Sequence, residues 1–251
     1  LRASILCLVL LPPLGWAQQT YLDPPDSAKE LFASRPMPRV SLSPDGNHLL
    51  DEQHLLIAER YRFRRISELA SRVKALAGIR LNPSNNGPAL PEYYFRIYLK
   101  NIESGKKTLL KTPGAINHRE RIIPGDQRRY SLPIWSPDGK NFAFMQYNST
   151  EVLIHVGNAD TGAIKSFPKI KLNAAAGRTF QWLPNSKGLL CLTIPAGRGK
   201  PPTPAKAPAG PVVQETGPKE AAVLTYPDLL QNEHDEKLFN YYLTAQLTTS
   251  S

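Results

Sequence analysis

The chain has 251 residues, of which 41% are hydrophobic and 21% charged, and it carries a formal net charge of +10 at pH 7. This composition is typical of a chain that folds around a buried core, and it excludes disorder throughout. The 24 prolines and 16 glycines disfavour long uninterrupted helices. Two cysteines, Cys7 and Cys191, are too few for a disulfide framework or a four-cysteine zinc site.

The first 17 residues show the features of a signal peptide in their usual order. Arg2 precedes the apolar run 5–11, two prolines end that run, and Gly15-Trp16-Ala17 places small residues where a signal peptidase cleaves. The apolar run is too short to cross a bilayer, which takes about 20 residues. We therefore predict a signal peptide over residues 1–17 and an exported, periplasmic or secreted protein without a membrane span. A buried terminal strand is the alternative interpretation.

Beyond the signal, a turn sequence recurs along the chain. Ser43-Pro44-Asp45-Gly46 returns as Ser136-Pro137-Asp138-Gly139. Serine, proline, aspartate and glycine each stand at a position that a type I turn favours. A degraded third copy follows Trp182, as the second copy follows Trp135. A repeat of about 40 to 50 residues with strand and turn chemistry is typical of propeller blades.

A second element repeats in phase with these turns. Residues 101–105 and 158–162 both begin with asparagine and end with glycine, and both follow a run that alternates apolar and polar residues. Such runs indicate strands that bury one face and enter a tight hairpin. The buried positions are predicted to be Phe95, Ile97 and Leu99 in the first run and Val152, Ile154 and Val156 in the second.

The first repeat unit contains an insertion, at about residues 51–91. Its apolar positions recur every three to four residues, which predicts a short amphipathic helix. Residues 60–80 are strongly basic, which indicates either a surface for an anionic partner or a solvated helix face or interdomain contact. The apolar positions are Ile66, Leu69, Val73, Leu76 and Ala77.

The third repeat unit is interrupted as well. Residues 195–218 contain 7 prolines and 4 glycines, which predicts an extended surface loop. A short acidic helix is predicted over Asp228–Tyr241, and the alternating pattern resumes over Tyr242–Leu247. Another short helix is predicted near the start of the chain, over Asp26–Ala33.

Several segments outside the turns carry a resemblance to a known family. They are residues 36–46; 76–83 with Asn86-Gly87-Pro88; 135–139; 193–195 with Arg198-Gly199 and Pro201-Pro202; and 228–230 with Asp235-Glu236, Leu238-Phe239 and Tyr241-Tyr242. Their order resembles the amino-terminal part of the prolyl oligopeptidase family of serine peptidases, most closely its glutamyl endopeptidase branch. The resemblance covers about residues 20–251. One departure is the arginine-rich Arg60–Arg65, where such relatives carry a less basic, proline-containing stretch.

The resemblance implies a β-propeller placed over an α/β-hydrolase domain that carries the catalytic Ser, Asp and His. We expect an all-β fold, an incomplete β-propeller of about three blades of four-stranded antiparallel sheet with short helical insertions. Residues 18–40 would form an amino-terminal segment with a short helix, and residues 41–251 the blades, ending inside a blade. The expected function is to gate peptide access to the C-terminal hydrolase domain of the same protein. The expected binding partners are therefore that domain and peptide substrates.

The residues themselves offer no catalytic site. The chain lacks the Gly-x-Ser-x-Gly pentapeptide that presents a hydrolase nucleophile. We therefore predict no catalytic residue here, and we expect this part alone to be inactive. The histidines are scattered, and none is predicted to adjoin a nucleophile. They are His48, His54, His118, His155 and His234.

Other chemistries are also weakly supported. Glu233-His234-Asp235-Glu236 has ligand-type side chains, but neighbours on a helix point in different directions, so no metal or cofactor is predicted. The basic residues are not interleaved with stacking aromatics, which argues against nucleic acid. Asn148-Ser149-Thr150 fits the N-glycosylation pattern, and Cys191 in its apolar run is interpreted as a packed residue. The alternative function is a free-standing periplasmic propeller used for binding or as a scaffold.

Overall fold

The computed structural model describes residues 24–33, 36–44, 53–60, 64, 69–70, 72–112, 129–204 and 228–250. The chain forms two compact units, Leu1–Ser34 and Arg35–Ser251. In the first unit, helix α1 (Asp26–Ala33) has the predicted bounds. The predicted signal peptide lies outside the described residues.

Four antiparallel sheets and helix α2 (Glu233–Leu243) are described in the second unit, where Leu69 is also helical. The mostly β architecture confirms the predicted fold class. The strands are β1 (Arg39–Leu42), β2 (His54–Glu59), β3 (Lys74–Leu76), β4 (Ile79–Asn82), β5 (Gly87–Pro88), β6 (Arg96–Asn101), β7 (Lys107–Leu109), β8 (Ile134–Trp135), β9 (Asn141–Tyr147), β10 (Val152–Asn158), β11 (Ile164–Ser166), β12 (Phe180–Trp182), β13 (Leu189–Thr193) and β14 (Gln246–Ser250).

Two of these sheets have four strands each. The first has the order β1-β2-β6-β7 and the second the order β8-β9-β10-β11. The hairpins predicted at residues 101–105 and 158–162 join β6 to β7 and β10 to β11, with Gly105 and Gly162 at φ values of 65° and 69°. The predicted buried faces are confirmed, with Val156 only partly buried. The fully buried positions are Phe95, Ile97, Leu99, Val152 and Ile154.

The third sheet, β12-β13-β14, has three strands within the described part of the chain, one fewer than expected for a blade. Its last strand reaches β13 only after the proline-rich loop and helix α2. The strand predicted from Tyr242 begins instead at Gln246, because Tyr242 and Leu243 complete the last turn of α2. The acidic helix is confirmed, with its start moved from Asp228 to Glu233.

The helix predicted inside the insertion is wrong over its second half: Leu69 is helical, but the later positions from Val73 onward are not. Lys74–Leu76 is strand β3, which pairs with β4 to begin a small three-stranded sheet. Ala77 and Gly78 both have positive φ, 49° and 80°, the conformation of a two-residue hairpin turn. Val73 is 45% exposed, so the helical spacing does not mark a buried face. Ile66 lies outside the described residues.

Equivalent tryptophans join the three larger sheets. The indole Nε1 of Trp135 donates to the Ser41 carbonyl at 3.3 Å, and that of Trp182 donates to the Ile134 carbonyl at 3.0 Å. Ser41 lies two residues before the turn serine Ser43, and Ile134 lies two residues before the turn serine Ser136. Each sheet therefore packs on the preceding one with the same register, as consecutive blades of a β-propeller do.

The buried core follows this stacking. One apolar cluster lies between the first two sheets and includes Leu56, Ile97 and Phe142. A second lies between the second and third sheets and includes Ile154 and Leu189. The facing sides of neighbouring sheets are thus buried against each other, and the insertion lies at the ends of the strands.

Candidate functional site

The two ends of the stacked sheets differ. One end, the tight-turn end, carries the Ser-Pro-Asp-Gly turn before β9 and the hairpins after β6 and β10. The opposite end, the insertion end, carries the β2–β6 insertion, the β11–β12 connection and the long β13–β14 connection. Segments far apart in sequence meet at the insertion end in a cluster that we call the polar junction. Its members are Asn86, Asn173, Arg198, Tyr241 and Tyr242.

Asn86 is at the centre of the polar junction. It lies in the turn between β4 and β5 with a φ of 56°, a left-handed conformation that asparagine tolerates better than most residues, and it is 2% exposed. Its Nδ2 donates to the side-chain oxygen of Asn173 and to the carbonyl of Tyr242. Its own carbonyl accepts a hydrogen bond from the backbone of Ala174 at 3.0 Å. These bonds attach the insertion to the β11–β12 connection.

Asn173 satisfies the end of helix α2. Its Nδ2 donates to the carbonyls of Tyr242, at 3.0 Å, and Thr244, at 2.8 Å. The last carbonyls of a helix lack intrahelical partners and need other donors when they are buried. Burial raises the pKa of the Tyr242 hydroxyl, consistent with an enclosed helix end. The two asparagines therefore fix where the helix stops.

Arg198 connects the proline-rich loop to the polar junction. Its Nη1 donates to Oδ1 of Asn86 at 2.7 Å and to the carbonyl of Tyr241 at 3.4 Å. The guanidinium carbon lies 4.2 Å from the centre of the Tyr241 ring, within the range of a cation–π contact. The Tyr241 hydroxyl in turn donates to the carbonyl of Gly199 at 2.9 Å. The loop and the helix are therefore fastened at two points.

Apolar and charged contacts support the polar junction. Leu76 and Leu81 of the small sheet form a buried cluster with Leu238 and Tyr242 of helix α2. Nε of Arg80 lies 3.3 Å from Oδ2 of Asp228, just ahead of the helix. Four of the five members of the polar junction belong to segments that carried the family resemblance, and the fifth, Asn173, is one that the sequence interpretation missed. It lies in the β11–β12 connection, where no repeat or turn pattern gave a local signal for its role.

His155 corrects one sequence prediction, because it does adjoin a serine. Its Nδ1 lies 2.7 Å from Oγ of Ser166, and its Nε2 lies 2.9 Å from Oε1 of Gln146. The ring is 1% exposed and stacks on Phe144 at 5.3 Å. Burial lowers its pKa to about 4. The ring is therefore neutral at pH 7 and shielded from any substrate, which makes it a buried hydrogen-bonding group.

The other histidines and acidic residues show no catalytic grouping where they are described. His48 and His118 lie outside the described residues, and the backbone of His54 donates to Oγ of Ser43 at 2.9 Å. Within 233–236, which includes His234, Glu233 pairs with Lys237 at 2.7 Å. Across the described ranges, no three His, Cys, Asp or Glu side chains are grouped to hold a metal.

The remaining sequence candidates are placed as follows. Cys191 is fully buried, and burial raises the pKa of its thiol to about 11. Within the basic segment 60–80, Arg60 pairs with Glu92 at 2.9 Å, and Arg80 pairs with Asp228. These intramolecular contacts favour the structural interpretation of that segment. No helix in the described ranges is long and apolar enough to cross a membrane.

The fold and the polar junction place this chain in a class of protein, a β-propeller of stacked blades with a structured insertion at one end of the strands. No family model matches the chain. The chain is 28% identical over 250 residues to the probable chloroplastic glutamyl endopeptidase of Oryza sativa subsp. japonica, and 29% identical over 242 residues to that of Arabidopsis thaliana. These matches cover 95% and 92% of the chain and confirm the predicted resemblance.

The chain spans about a quarter of the length of these curated relatives, 25% and 23%. Among solved structures, it is similar to the acylaminoacyl peptidase of Pyrococcus horikoshii, with a TM-score of 0.32 and 17% identity over 69% of this chain and 19% of that one. A prolyl endopeptidase gives the same TM-score and identity over 68% of this chain and 21% of that one. The blade assignment rests on the sheets themselves.

Proposed function

We propose that this chain is the propeller part of an exported serine peptidase of the prolyl oligopeptidase type, in which it controls the access of peptides to a hydrolase domain. The observation that carries the proposal is the similarity to two glutamyl endopeptidases over nearly the whole chain. Three of the segments that carry this resemblance meet at the polar junction, through Asn86, Arg198 and Tyr242. A feature built from three connections at one end of a propeller is suited to shape the path of a substrate.

Peptides are the proposed substrates, and cleavage after glutamate is the proposed preference. Hydrolysis would pass through an acyl-enzyme formed by a serine of the hydrolase domain. His155, whose ring contacts the hydroxyl of Ser166, is buried and neutral. The contribution of these residues is therefore access and positioning, and bond cleavage is assigned to the hydrolase domain.

Expression of the full-length protein tests this function. It should cleave internally quenched peptides with a glutamate at the cleavage position, and a serine-directed fluorophosphonate should abolish the cleavage. Residues 18–251 expressed alone should give no turnover. Turnover by this fragment that the fluorophosphonate blocks would contradict the proposal, as would a full-length protein that cleaves no peptide.

Export is tested separately. A fusion of residues 1–40 to a reporter that is active only outside the cytoplasm should give signal, and an Arg2→Glu variant with an interrupted apolar run should not. Mass spectrometry of the mature amino terminus should locate the cut after Ala17. A reporter that stays in the cytoplasm would remove the exported location from the proposal.

A further inference from the structure

Arg198 differs from the ion-paired cations described at this end of the sheets. Arg60, Arg80 and Lys171 each lie within 4.0 Å of a carboxylate, on Glu92, Asp228 and Glu151. Arg198 forms no ion pair with any residue that the structure describes, and it is only partly buried. Its charge is therefore balanced by neutral oxygens and aromatic rings alone, within reach of solvent.

The contacts of Arg198 use one side of its guanidinium. Both hydrogen bonds come from Nη1, to Oδ1 of Asn86 and to the carbonyl of Tyr241. Nε and Nη2 bond to nothing in the described part of the chain. In arginine these two nitrogens form an edge whose parallel N–H groups match the two oxygens of a carboxylate. That edge is available to an acceptor from outside the described chain.

The guanidinium is also held in position before any ligand arrives. Asn86 is fixed by its bonds to Asn173 and Tyr242, and the Tyr241 ring covers one face of the guanidinium at 4.2 Å. A guanidinium group that is already ordered loses little conformational freedom when it binds a ligand.

We propose that the Nε–Nη2 edge of Arg198 binds a carboxylate of a peptide, and that this contact makes Arg198 a specificity-determining residue. The proposal rests on the proposed function, because that function supplies peptides as ligands. A peptide carries carboxylates at acidic side chains and at its C-terminus. The chemistry of recognition is the same for both, so the experiment separates the two sources.

The test uses the full-length protein and three variants. Arg198→Gln removes the charge, and Arg198→Lys keeps the charge but lacks the paired N–H groups of the guanidinium edge. Arg80→Gln is the matched control, because it removes an equal charge that is already paired with Asp228. The value of kcat/KM is measured on quenched peptides that differ only by glutamate or glutamine at the cleavage position, with amidated C-termini. A third peptide has glutamine and a free C-terminus.

Arg198→Gln should lower kcat/KM for the glutamate peptide about tenfold or more relative to the glutamine peptide, the size expected for a lost charge-assisted hydrogen-bond pair. Arg198→Lys should give a smaller loss, and Arg80→Gln should leave the ratio unchanged. If only the free C-terminus loses its advantage in Arg198→Gln, the carboxylate is the terminal one. Equal losses on all three peptides, or none, would overturn the proposal.

Binding separates this inference from the peptidase function. Fluorescence anisotropy of the labelled, amidated glutamate peptide is measured on fluorophosphonate-treated protein, so turnover is not needed. Weaker binding in Arg198→Gln than in Arg80→Gln supports the site even if no peptide is cleaved, an outcome that would remove only the peptidase function. Cleavage with binding that is unchanged in Arg198→Gln removes only the site. Arg198→Lys, which retains a cation at the junction, excludes misfolding as the cause when its thermal unfolding matches that of the parent.

Discussion

The two ends of the sheets are made by the same strands, but the hydrogen bonds that close their connections span very different distances in sequence. At the tight-turn end, Oδ1 of Asn101 accepts from the backbone of Ser104 at 2.7 Å, and Oδ1 of Asn158 accepts from that of Thr161 at 2.9 Å. At the insertion end, Asn86 bonds to the carbonyl of Tyr242, 156 positions away. Local turns form from neighbouring residues, whereas the insertion end exists only after distant segments have met.

The largest expected effect is a Gly139→Ala substitution at the tight-turn end. Gly139 has a φ of 70°, and a Cβ there would lie 2.2 Å from the carbonyl oxygen of Pro44 in the neighbouring blade. The strained φ and the displaced backbone together should cost about 4 kcal/mol of unfolding free energy. Gly105→Ala is the control, since its φ is 65° with no atom within 4 Å of the added Cβ. Urea unfolding of both variants measures the difference, and equal losses would show that the tight turns do not contact each other.

The interior between the two ends should respond to pH through His155. Its folded pKa of about 4 lies below the value of 6.5 for an unperturbed histidine, because burial disfavours the charged ring. The unfolded chain therefore gains a proton below about pH 6.5 that the folded chain takes up only near pH 4. The stabilising contribution is present above pH 6.5 and falls by about 3 kcal/mol as the pH is lowered to 4.

Urea unfolding across this pH range measures the effect. In a His155→Gln variant, this part of the pH dependence should disappear, whereas His234→Gln should retain it. The His155 contribution is the difference between the unfolding free energies of the parent and of His155→Gln. If this difference stays constant from pH 6.5 to 4, the ring is not a neutral buried group.

At the insertion end, Asn86→Ala should cost about 2 kcal/mol. The substitution leaves the buried carbonyl of Tyr242 and Nη1 of Arg198 with one bond fewer each, and alanine tolerates a φ of 56° poorly. The proline-rich loop should then be cut faster by a non-specific protease, since Asn86 no longer holds Arg198. Unchanged cutting rates would show that the loop is held independently of the polar junction.

The smallest effect is expected for Asn101→Ala, at about 1 kcal/mol. Asn101 accepts two exposed hydrogen bonds, from the backbone and the side chain of Ser104, and the turn has neighbouring groups to replace them. Urea unfolding measures this loss, which should leave cleavage of the proline-rich loop at the parental rate. Faster cleavage in this variant would couple the two ends and break the comparison between them.

Several elements could be predicted because their signals are local. The Ser136–Gly139 turn, the two asparagine–glycine hairpins and the Asp26–Ala33 helix depend on residues within a few positions of each other. The insertion helix failed beyond Leu69 because Val73 and Leu76 have helical spacing while Ala77-Gly78 forms a hairpin turn. Pairing of β3 with β4 and packing of Leu76 against Leu238 outweighed the spacing. The strand expected at Tyr242 failed for a related reason, since two asparagines fix a helix end there.

The sequence by itself determined the repeat, the blade-like strand pattern and the resemblance to the amino-terminal part of serine peptidases, because turn chemistry and alternation are written in adjacent residues. Only the tertiary structure brought Asn86, Asn173, Arg198 and Tyr241 together, because their hydrogen bonds cross three separate connections. It also placed His155 beside Ser166, two residues on neighbouring strands whose contact depends on register. Long-range contacts of this kind produce no repeating pattern in the sequence. Each contact involves one residue from each segment, and it places no requirement on the residues next to it.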